Sequence, residues 1–177
     1  MIPQAYPWYV AVTGDDLEQG DILEACPVFL PPEDLAWDSP DTAAFRWEER
    51  DVIVQSQTCD LVKGREKVSE VLLCPVWKRS ELTEGYLATP KGMEDARRGN
   101  LPGFQVQNAC SLPGLDREVR VVDFRRVYSL SLPFVRHFAA GAESRMRLLP
   151  PYREHLAQAF ARFFMRVGLP VDVPPFK

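Results

Sequence analysis

Two short apolar runs constrain the fold of this chain more than any other feature of its sequence. The first is Val52–Val54, three β-branched residues in succession, and the second extends from Val68 to Val76. Runs of this length that are rich in β-branched residues and bounded by polar turns are typical of buried strands. Because the basic turn 63–67 lies between them, we predict an antiparallel pair at the centre of a sheet.

Other segments carry strand signals around this pair. Residues 22–29 form an apolar run that ends at Pro31, because proline cannot donate to a ladder of hydrogen bonds. Phe104–Gln107 alternates between apolar and polar residues, and Arg117–Tyr128 is rich in β-forming residues with charges on both faces. We predict a strand in each of these segments, the last of them long and bent.

The C-terminal part of the chain predicts one amphipathic helix over 150–168. Its apolar residues recur at helical spacing on one face: Tyr152, Leu156, Phe160, Phe163, Phe164 and Val167. Prolines precede the first turn, and Gly168 followed by Pro170 supplies a stop signal. We expect the aromatic face to pack on the sheet.

In two other segments the apolar residues do not recur at a regular spacing. Residues 78–103 contain several glycines and prolines, which predicts a loop excursion with a short helical turn at 93–98. The stretch around Gly141, before the terminal helix, is expected to be a linker.

Length and composition favour one soluble domain that needs neither a metal nor a disulfide. The chain has 177 residues, of which 46% are hydrophobic and 26% charged. Its four cysteines match no metal-binding pair and no dense disulfide framework, and no glycine-rich phosphate loop is present, so we expect reduced thiols, no metal and no cofactor. No apolar run is long enough to span a membrane, and Met1–Val10 lacks the features of a signal peptide, so a cytoplasmic location is expected.

Charge is divided unevenly along the chain. Residues 1–60 carry 13 acidic and two basic side chains, whereas residues 61–177 carry 12 acidic and 19 basic ones. The net charge of -4 therefore conceals an acidic half and a basic half. Either the two halves interleave and neutralise each other, or the basic half forms a surface that attracts an acidic partner.

The order of these elements resembles the MazF/PemK toxin family. The likeness lies at Gly20–Ile22, Arg50–Gln55 and Val71–Val76, and it extends loosely over Val121–Leu132. That family folds as a small, strongly bent antiparallel β-barrel of the SH3-like type with a C-terminal helix. The resemblance therefore implies a single, mainly-β domain with a C-terminal α-helix, an α+β fold, from a bacterial cytoplasm.

The resemblance also implies a reaction, and the sequence departs from the family pattern at one of the two residues that carry it. In family members that cut RNA, an arginine before the central strand acts with a threonine or serine after the next strand. Arg50 matches the first position, but Trp77 occupies the second, and an indole has no hydroxyl group. This favours binding without catalysis. The alternative is an endoribonuclease in which Arg50 stabilises the phosphorane charge beside a hydroxyl of Ser56 or Thr58.

A polar tract after the central strand is a second place for chemistry. Gln55–Asp60 consists of six small or polar residues at the end of a buried strand. Cys59 could act as a nucleophile or metal ligand, because the basic turn that follows would favour its thiolate. Alternatively, the tract satisfies backbone groups where the strand leaves the sheet. The candidate catalytic residues are Arg50, Ser56, Thr58, Cys59 and Asp60.

Four arginines give the best nucleic-acid signature, because guanidinium groups contact phosphates while neighbouring rings stack on bases. They are Arg117, Arg120, Arg125 and Arg126, with Phe124 and Tyr128 interleaved. The sequence as a whole predicts a non-catalytic binding or interaction module that engages RNA or a protein partner in a bacterial toxin–antitoxin or defence-type system. We expect no membrane contact, and homodimer formation stays open.

Overall fold

The structure, a computed structural model, describes residues 7–33 and 45–165. The strands are β1 (Tyr9–Val12), β2 (Asp21–Leu30), β3 (Arg46–Val54), β4 (Glu70–Lys78), β5 (Phe104–Gln107), β6 (Cys110–Leu112), β7 (Leu115–Arg117), β8 (Arg120–Asp123), β9 (Tyr128–Ser131) and β10 (Arg145–Leu148). The helices are α1 (Pro90–Arg97), α2 (Leu132–Gly141) and α3 (Tyr152–Phe164). The protein is mainly β with a C-terminal helix, as predicted. Within the described ranges, no helix has the length and apolar surface needed to cross a lipid bilayer.

Eight of the strands form one antiparallel sheet. Its order is β1–β10–β2–β3–β4–β8–β5, with β9 also paired to β4, and β6 and β7 form a separate hairpin. The predicted central pair is confirmed, because β3 and β4 pair with Ile53 opposite Cys74. The order ends at β1 and β5, so the sheet is open. The two edges nevertheless approach each other, since the hydroxyl of Tyr9 donates a hydrogen bond to the carbonyl oxygen of Asn108 (2.7 Å).

The prediction of one long strand over Arg117–Tyr128 is wrong, and a proline in β4 explains why. Along one edge, β4 pairs first with β9 and then with β8. The amide of Gln55 donates to the carbonyl oxygen of Leu72 on the β3 side, and backbone groups alternate in direction along a strand. The nitrogen of Pro75 therefore faces the β8/β9 edge, where it has no N–H to donate. A single partner strand cannot pair without interruption there.

The predicted linker around Gly141 is also wrong, because this stretch contains α2 and β10. Helix α2 buries Val135 and Ala139, four residues apart on one face, in a cluster on one side of the sheet. Arginines alternate with apolar residues in β10, and their ion pairs with Asp21 allow this charged strand to lie inside the sheet.

Helix α3 is shorter than the predicted 150–168. The expected stop signal at Gly168 lies outside the described residues. The aromatic face packs on the sheet as expected: Leu156 is buried, and the ring of Phe160 meets that of Phe124 edge to face, with centroids 5.7 Å apart.

The excursion over 78–103 has more regular structure than its composition suggests. It contains two short 3-10 turns and α1, which begins at Pro90 rather than at the predicted helical turn 93–98. Leu87 and Ala96 pack with Val121 of β8 in a small cluster of their own. The excursion is therefore anchored to the sheet by apolar contacts.

Because of a bulge in β2, residues of this one strand pack in two different apolar clusters. Ile22 and Cys26 would share a face of a regular strand, but the register between β2 and β3 shifts between Leu23 and Cys26. Ala25 adopts a left-handed φ of 51°, and its amide donates to the carboxylate of Asp51 (3.0 Å). As a result, Ile22 packs in the cluster beneath α3, whereas Cys26 packs in the cluster beneath α2.

The acidic and basic halves of the sequence interleave in the fold. Lys63 pairs with Asp15 at 2.7 Å, and Arg145 pairs with Asp21 at 3.0 Å. Both members of the second pair are buried. Much of the charge asymmetry along the chain is therefore neutralised by ion pairs within the protein.

Candidate functional site

Buried polar atoms without a hydrogen-bond partner identify two candidate sites. Such atoms are rare in folded proteins, and each needs an explanation such as a water or ligand that it binds. Of eight side-chain atoms of this kind in the described residues, two belong to Gln55 and five to the paired strands β5 and β8. Gln55 lines one pocket and Gln107 of β5 lines another.

Gln55 directly follows β3, and its backbone is held on both sides. Its amide donates to the carbonyl oxygen of Leu72 (2.8 Å), and its carbonyl oxygen accepts a hydrogen bond from Nε2 of Gln19 (2.8 Å). Only 3% of the residue is exposed, yet neither Nε2 nor Oε1 of Gln55 has a partner. A fixed backbone thus holds a buried amide with an unused donor group and an unused acceptor.

A pocket of about 620 Å³ lies beside Gln55. Most of the other side chains that line it carry hydroxyl, amide or charged groups: Ser56, Gln57, Asp60, Lys67, Ser69, Glu70 and Ser129. Phe160 of α3 contributes an aromatic ring. This combination suits a ligand that has a flat face and a hydrogen-bonding edge.

The structure brings Ser56 and Asp60 of the predicted tract to this pocket, and it also shows what holds the tract in place. Oγ of Ser56 accepts a hydrogen bond from a β4 amide (2.9 Å), and Oγ1 of Thr58 accepts one from the amide of Gln19 (3.2 Å). Asp60 forms an ion pair with Lys67 (3.3 Å). Ser56 and Thr58 therefore satisfy backbone groups, as the alternative interpretation of the tract expected.

Cys59 is exposed, whereas the other three cysteines are buried. Its Sγ contacts Oδ1 of Asp60 (3.5 Å), so the thiol has an acidic neighbour. Burial raises the pKa of the Cys26 and Cys74 thiols to about 12, which keeps both protonated at neutral pH. No cluster of three or more potential metal ligands occurs in the part of the chain that the structure describes.

Arg50 lies in the middle of β3, away from the polar tract. Six positions separate it from Ser56, which is about 20 Å along an extended strand. Its Nε donates to Glu48 (3.0 Å), and its guanidinium lies over the ring of Trp77, 5.2 Å from the centroid. The two positions that the family resemblance pairs are therefore neighbours. The described residues that line their shared pocket include neither serine nor threonine.

The structure does not bring the four predicted arginines onto one exposed surface. Arg117 donates from Nε and Nη2 to the two carboxylate oxygens of Glu24 (2.7 and 2.8 Å), and Arg120 is only 1% exposed. Arg125 is exposed but forms a bidentate pair with an aspartate of β8. Arg126 is exposed in the turn between β8 and β9.

Arg120 carries two of the unpartnered atoms on β5 and β8, and it belongs to a cluster of charged side chains. Its Nη2 donates to Glu24 and lies 3.8 Å from Oδ2 of Asp51. Hydrogen bonds from Arg117 and Arg120 lower the pKa of the Glu24 carboxyl to about 2. Nε and Nη1 of Arg120 nevertheless lack partners, and so do both side-chain amide atoms of Gln107, which lies opposite Arg120 in the register.

The sequence pointed to the tract that contains Gln55 but gave no reason to single out Gln55 or Gln107. A glutamine that follows a strand, or alternates with apolar residues within one, normally faces solvent. Whether these two side chains are buried depends on residues of other elements that cover them in the fold. Neither a protein-family model, nor a curated protein, nor a solved structure matches this chain.

Proposed function

We propose that this protein is a non-catalytic binding module that takes a base of single-stranded RNA into the pocket beside Gln55. The observation that carries the proposal is the buried, unpartnered side-chain amide of Gln55. A buried polar group without a hydrogen bond costs about 1–3 kcal/mol of stability. A ligand that pairs with this amide recovers that cost on binding.

A nucleobase fits both features of the pocket. Its edge presents hydrogen-bond donors and acceptors side by side, a pattern that a glutamine amide can match. Its face can stack on the ring of Phe160, and stacking of a base on an aromatic side chain is worth about 1–3 kcal/mol. The volume of about 620 Å³ lies in the range of small-molecule sites and accommodates a nucleoside.

Basic side chains lie where the backbone of a bound strand would leave the pocket. Lys67 lines the pocket, and Arg65 is exposed in the same turn. Arg126 precedes β9, which contributes Ser129 to the lining of the pocket. Because Lys67 is already paired with Asp60, electrostatic attraction is modest, and we expect a shallow salt dependence that corresponds to about two phosphate contacts.

The scaffold that we propose for this binding module is the SH3-like barrel of the MazF/PemK family, which the sequence resembles. A bent sheet whose edges are joined by the hydrogen bond between Tyr9 and Asn108 is compatible with an incompletely closed SH3-like barrel. An RNA-binding barrel of the MazF/PemK type, in which the described residues lining the pocket of Arg50 include neither serine nor threonine, would serve a bacterial toxin–antitoxin or defence-type system in the cytoplasm. It would bind RNA there without cutting it.

The rival function is an endoribonuclease centred on Arg50, and the observation in its favour is that the two positions paired by the family resemblance, 50 and 77, are neighbours in the structure. Three acidic and two basic side chains line the pocket there, and Arg50 is already bonded to Glu48. None of the described residues that line this pocket is a serine or threonine that could act with Arg50, and none carries a buried side-chain atom without a partner. The pocket beside Gln55, which has such a residue in its lining, is therefore the better supported site.

Fluorescence anisotropy with a labelled single-stranded RNA of about ten nucleotides tests the proposal. Gln55→Leu should weaken binding about tenfold or more, because it removes the amide that pairs with the base. The same variant should unfold at a higher temperature than the wild type, because it no longer buries an unpaired amide. Gln158→Leu, at an exposed position of α3, is the control and should change neither property.

Three results would count against the proposal. Wild-type affinity in Gln55→Leu would show that the amide does not contact the base. Reduced stability in the same variant would assign Gln55 a structural role. Cleavage of the RNA by the wild type but not by Arg50→Ala would support the endoribonuclease instead.

A further inference from the structure

The outer part of β3 has an edge to which no other described strand is paired. Residues 46–50 pair with β2 on one side, whereas β4 pairs with β3 only at Val52–Val54. The amide of Gln55 donates toward β4, and backbone groups alternate in direction along a strand. The N–H and C=O groups of Trp47 and Glu49 therefore point away from β2, and no described residue forms a hydrogen bond with them.

The opposite edge of the same strand pair is protected by a proline. Pro27 lies opposite Glu49 in the register, so its nitrogen points away from β3, where it has no N–H to donate. The β3 edge has no proline over residues 45–49. A strand edge with free backbone groups is a template on which another strand can pair. Of the two edges, that of β3 is therefore the one that can accept a further strand.

Exposed aromatic rings lie beside this edge. Phe29 and Trp47 are directly opposite each other in the register, so they share one face of the strand pair, and they are 52% and 58% exposed. Phe45, directly before β3, is 56% exposed. The ring of Phe29 meets that of Phe134 of α2 edge to face, with centroids 6.0 Å apart. Exposed rings grouped in this way are typical of an interaction surface.

The charges along the edge favour a second copy of this chain as the partner. Two antiparallel β3 strands whose outward backbone groups face each other are related by a two-fold axis that passes through a residue. An axis at Trp47 places Arg46 of each copy opposite Glu48 of the other, a stabilising pair of opposite charges. An axis at any other residue of 46–50 places a charged side chain opposite its own copy, which is destabilising.

We propose that the protein forms a homodimer in which the β3 edges of two copies pair antiparallel about Trp47. Residues 45–49 of the two copies then form about six backbone hydrogen bonds. The rings of Phe29 and Trp47 in one copy continue into those of the other, so that four aromatic rings lie in a row on one face. The dimer surface is separate from the proposed RNA pocket, because Trp47 is not among the residues that line that pocket.

Sedimentation equilibrium of the full chain at about 5–500 μM tests the dimer. One strand pair makes a small interface, so we expect a Kd of about 1–100 μM. Trp47→Lys, which places two cations at the axis, should weaken association at least about tenfold. Glu49→Pro should do the same, because it removes an N–H from the open edge without removing a hydrogen bond to β2. Both side chains are exposed, and circular dichroism should show that both variants are folded.

Charge reversal tests the register. Arg46→Glu should weaken association about fivefold, because it places two carboxylates opposite each other twice in the dimer. Adding Glu48→Arg to that variant should restore association, since each pair again has opposite charges. Val10→Lys is the matched control: Val10 is 37% exposed on β1, the edge strand at one end of the sheet, so the Kd should not change.

Several outcomes would overturn the proposal. One is a wild type that stays monomeric up to about 500 μM. Unchanged association in Trp47→Lys or Glu49→Pro would show that the β3 edge is not the interface, and a loss in Val10→Lys would assign it to β1. A double charge reversal that associates no better than Arg46→Glu would refute the register. Gln55→Leu should leave the Kd of the dimer unchanged, so that failure of the RNA proposal and failure of this one are distinguishable.

Discussion

Replacing Glu24 by glutamine should destabilise the protein, because the buried guanidinium of Arg120 would lose a negatively charged partner. Arg120 is almost completely buried, and its Nη2 donates to Glu24. The next carboxylate oxygen, on Asp51, is 3.8 Å from the same nitrogen. Glu24→Gln keeps the shape and one acceptor oxygen but removes the negative charge, so the guanidinium loses most of its electrostatic compensation.

The size of the effect follows from the pKa of the Glu24 carboxyl. Its fall from 4.5 to about 2 corresponds to an upper limit of about 3.4 kcal/mol. One third of the side chain is exposed, so solvent screening reduces this value, and we expect about 2 kcal/mol. For a chain of 177 residues, that loss lowers the midpoint of thermal unfolding by about 5 °C.

The pH dependence of the loss distinguishes the ion pair from simple loss of packing. Because the pKa of Glu24 is lowered by folding, its stabilising contribution is complete above about pH 5 and disappears as the pH falls toward about 2. Urea unfolding should therefore show a difference between wild type and Glu24→Gln that is full at about pH 7 and about half as large at pH ~3.5.

A matched control is available on the surface of α1. The pKa of Glu94 is also lowered to about 2, by hydrogen bonds from Arg97 and Arg98, but all three groups face solvent. Glu94→Gln should leave the urea midpoint close to that of the wild type. The reasoning is refuted if Glu24→Gln is as stable as the wild type, or if its deficit is the same at both pH values.

Three further predictions concern other parts of the fold. Gly92→Ala should loosen α1 and lower the thermal midpoint, because an added Cβ would lie 1.9 Å from the carbonyl oxygen of Tyr86; circular dichroism melting checks this, and an unchanged midpoint would contradict it. Neutral-pH alkylation followed by mass spectrometry should modify Cys59 first, because the other cysteines are buried; uniform labelling of all four would contradict that expectation. Val135→Ala should cost about 1–3 kcal/mol in urea unfolding by opening a cavity beneath α2, and a loss below about 0.5 kcal/mol would show that the side chain is not packed there.

The parts of the fold that the sequence predicted best are those whose signal is local. The pairing of β3 with β4 followed from consecutive β-branched residues, and α3 followed from apolar residues at helical spacing. By contrast, β10 was missed because Arg145 and Arg147 interrupt its apolar pattern, and the ion pairs with the distant Asp21 that help to hold these arginines in the sheet leave no local signal. The break between β8 and β9 was missed because its cause is Pro75, in a different strand.

In the candidate sites, too, the sequence predicts features that depend on neighbouring residues and misses those that depend on residues far away in the chain. The tract from Gln55 to Asp60 was recognisable as polar residues at the end of a buried strand. Which of its members is buried with an unused hydrogen-bonding group could not be predicted, because the pocket there is also lined by distant residues such as Phe160 and Ser129, whose positions no local pattern encodes. The burial of Arg120 likewise depends on Glu24, 96 positions away in sequence.

The bulge at Ala25 separates the pairing register of the outer part of the β2–β3 ribbon from that of the inner part. Beyond it, the two strands continue from Cys26 to Leu30 opposite Arg46 to Arg50 in an uninterrupted register of their own. A residue pair added or removed within this arm would leave the orientation of Ile22 unaltered. The arm can therefore change length, and with it the position of the exposed rings of Phe29 and Trp47, without disturbing the core beneath α3.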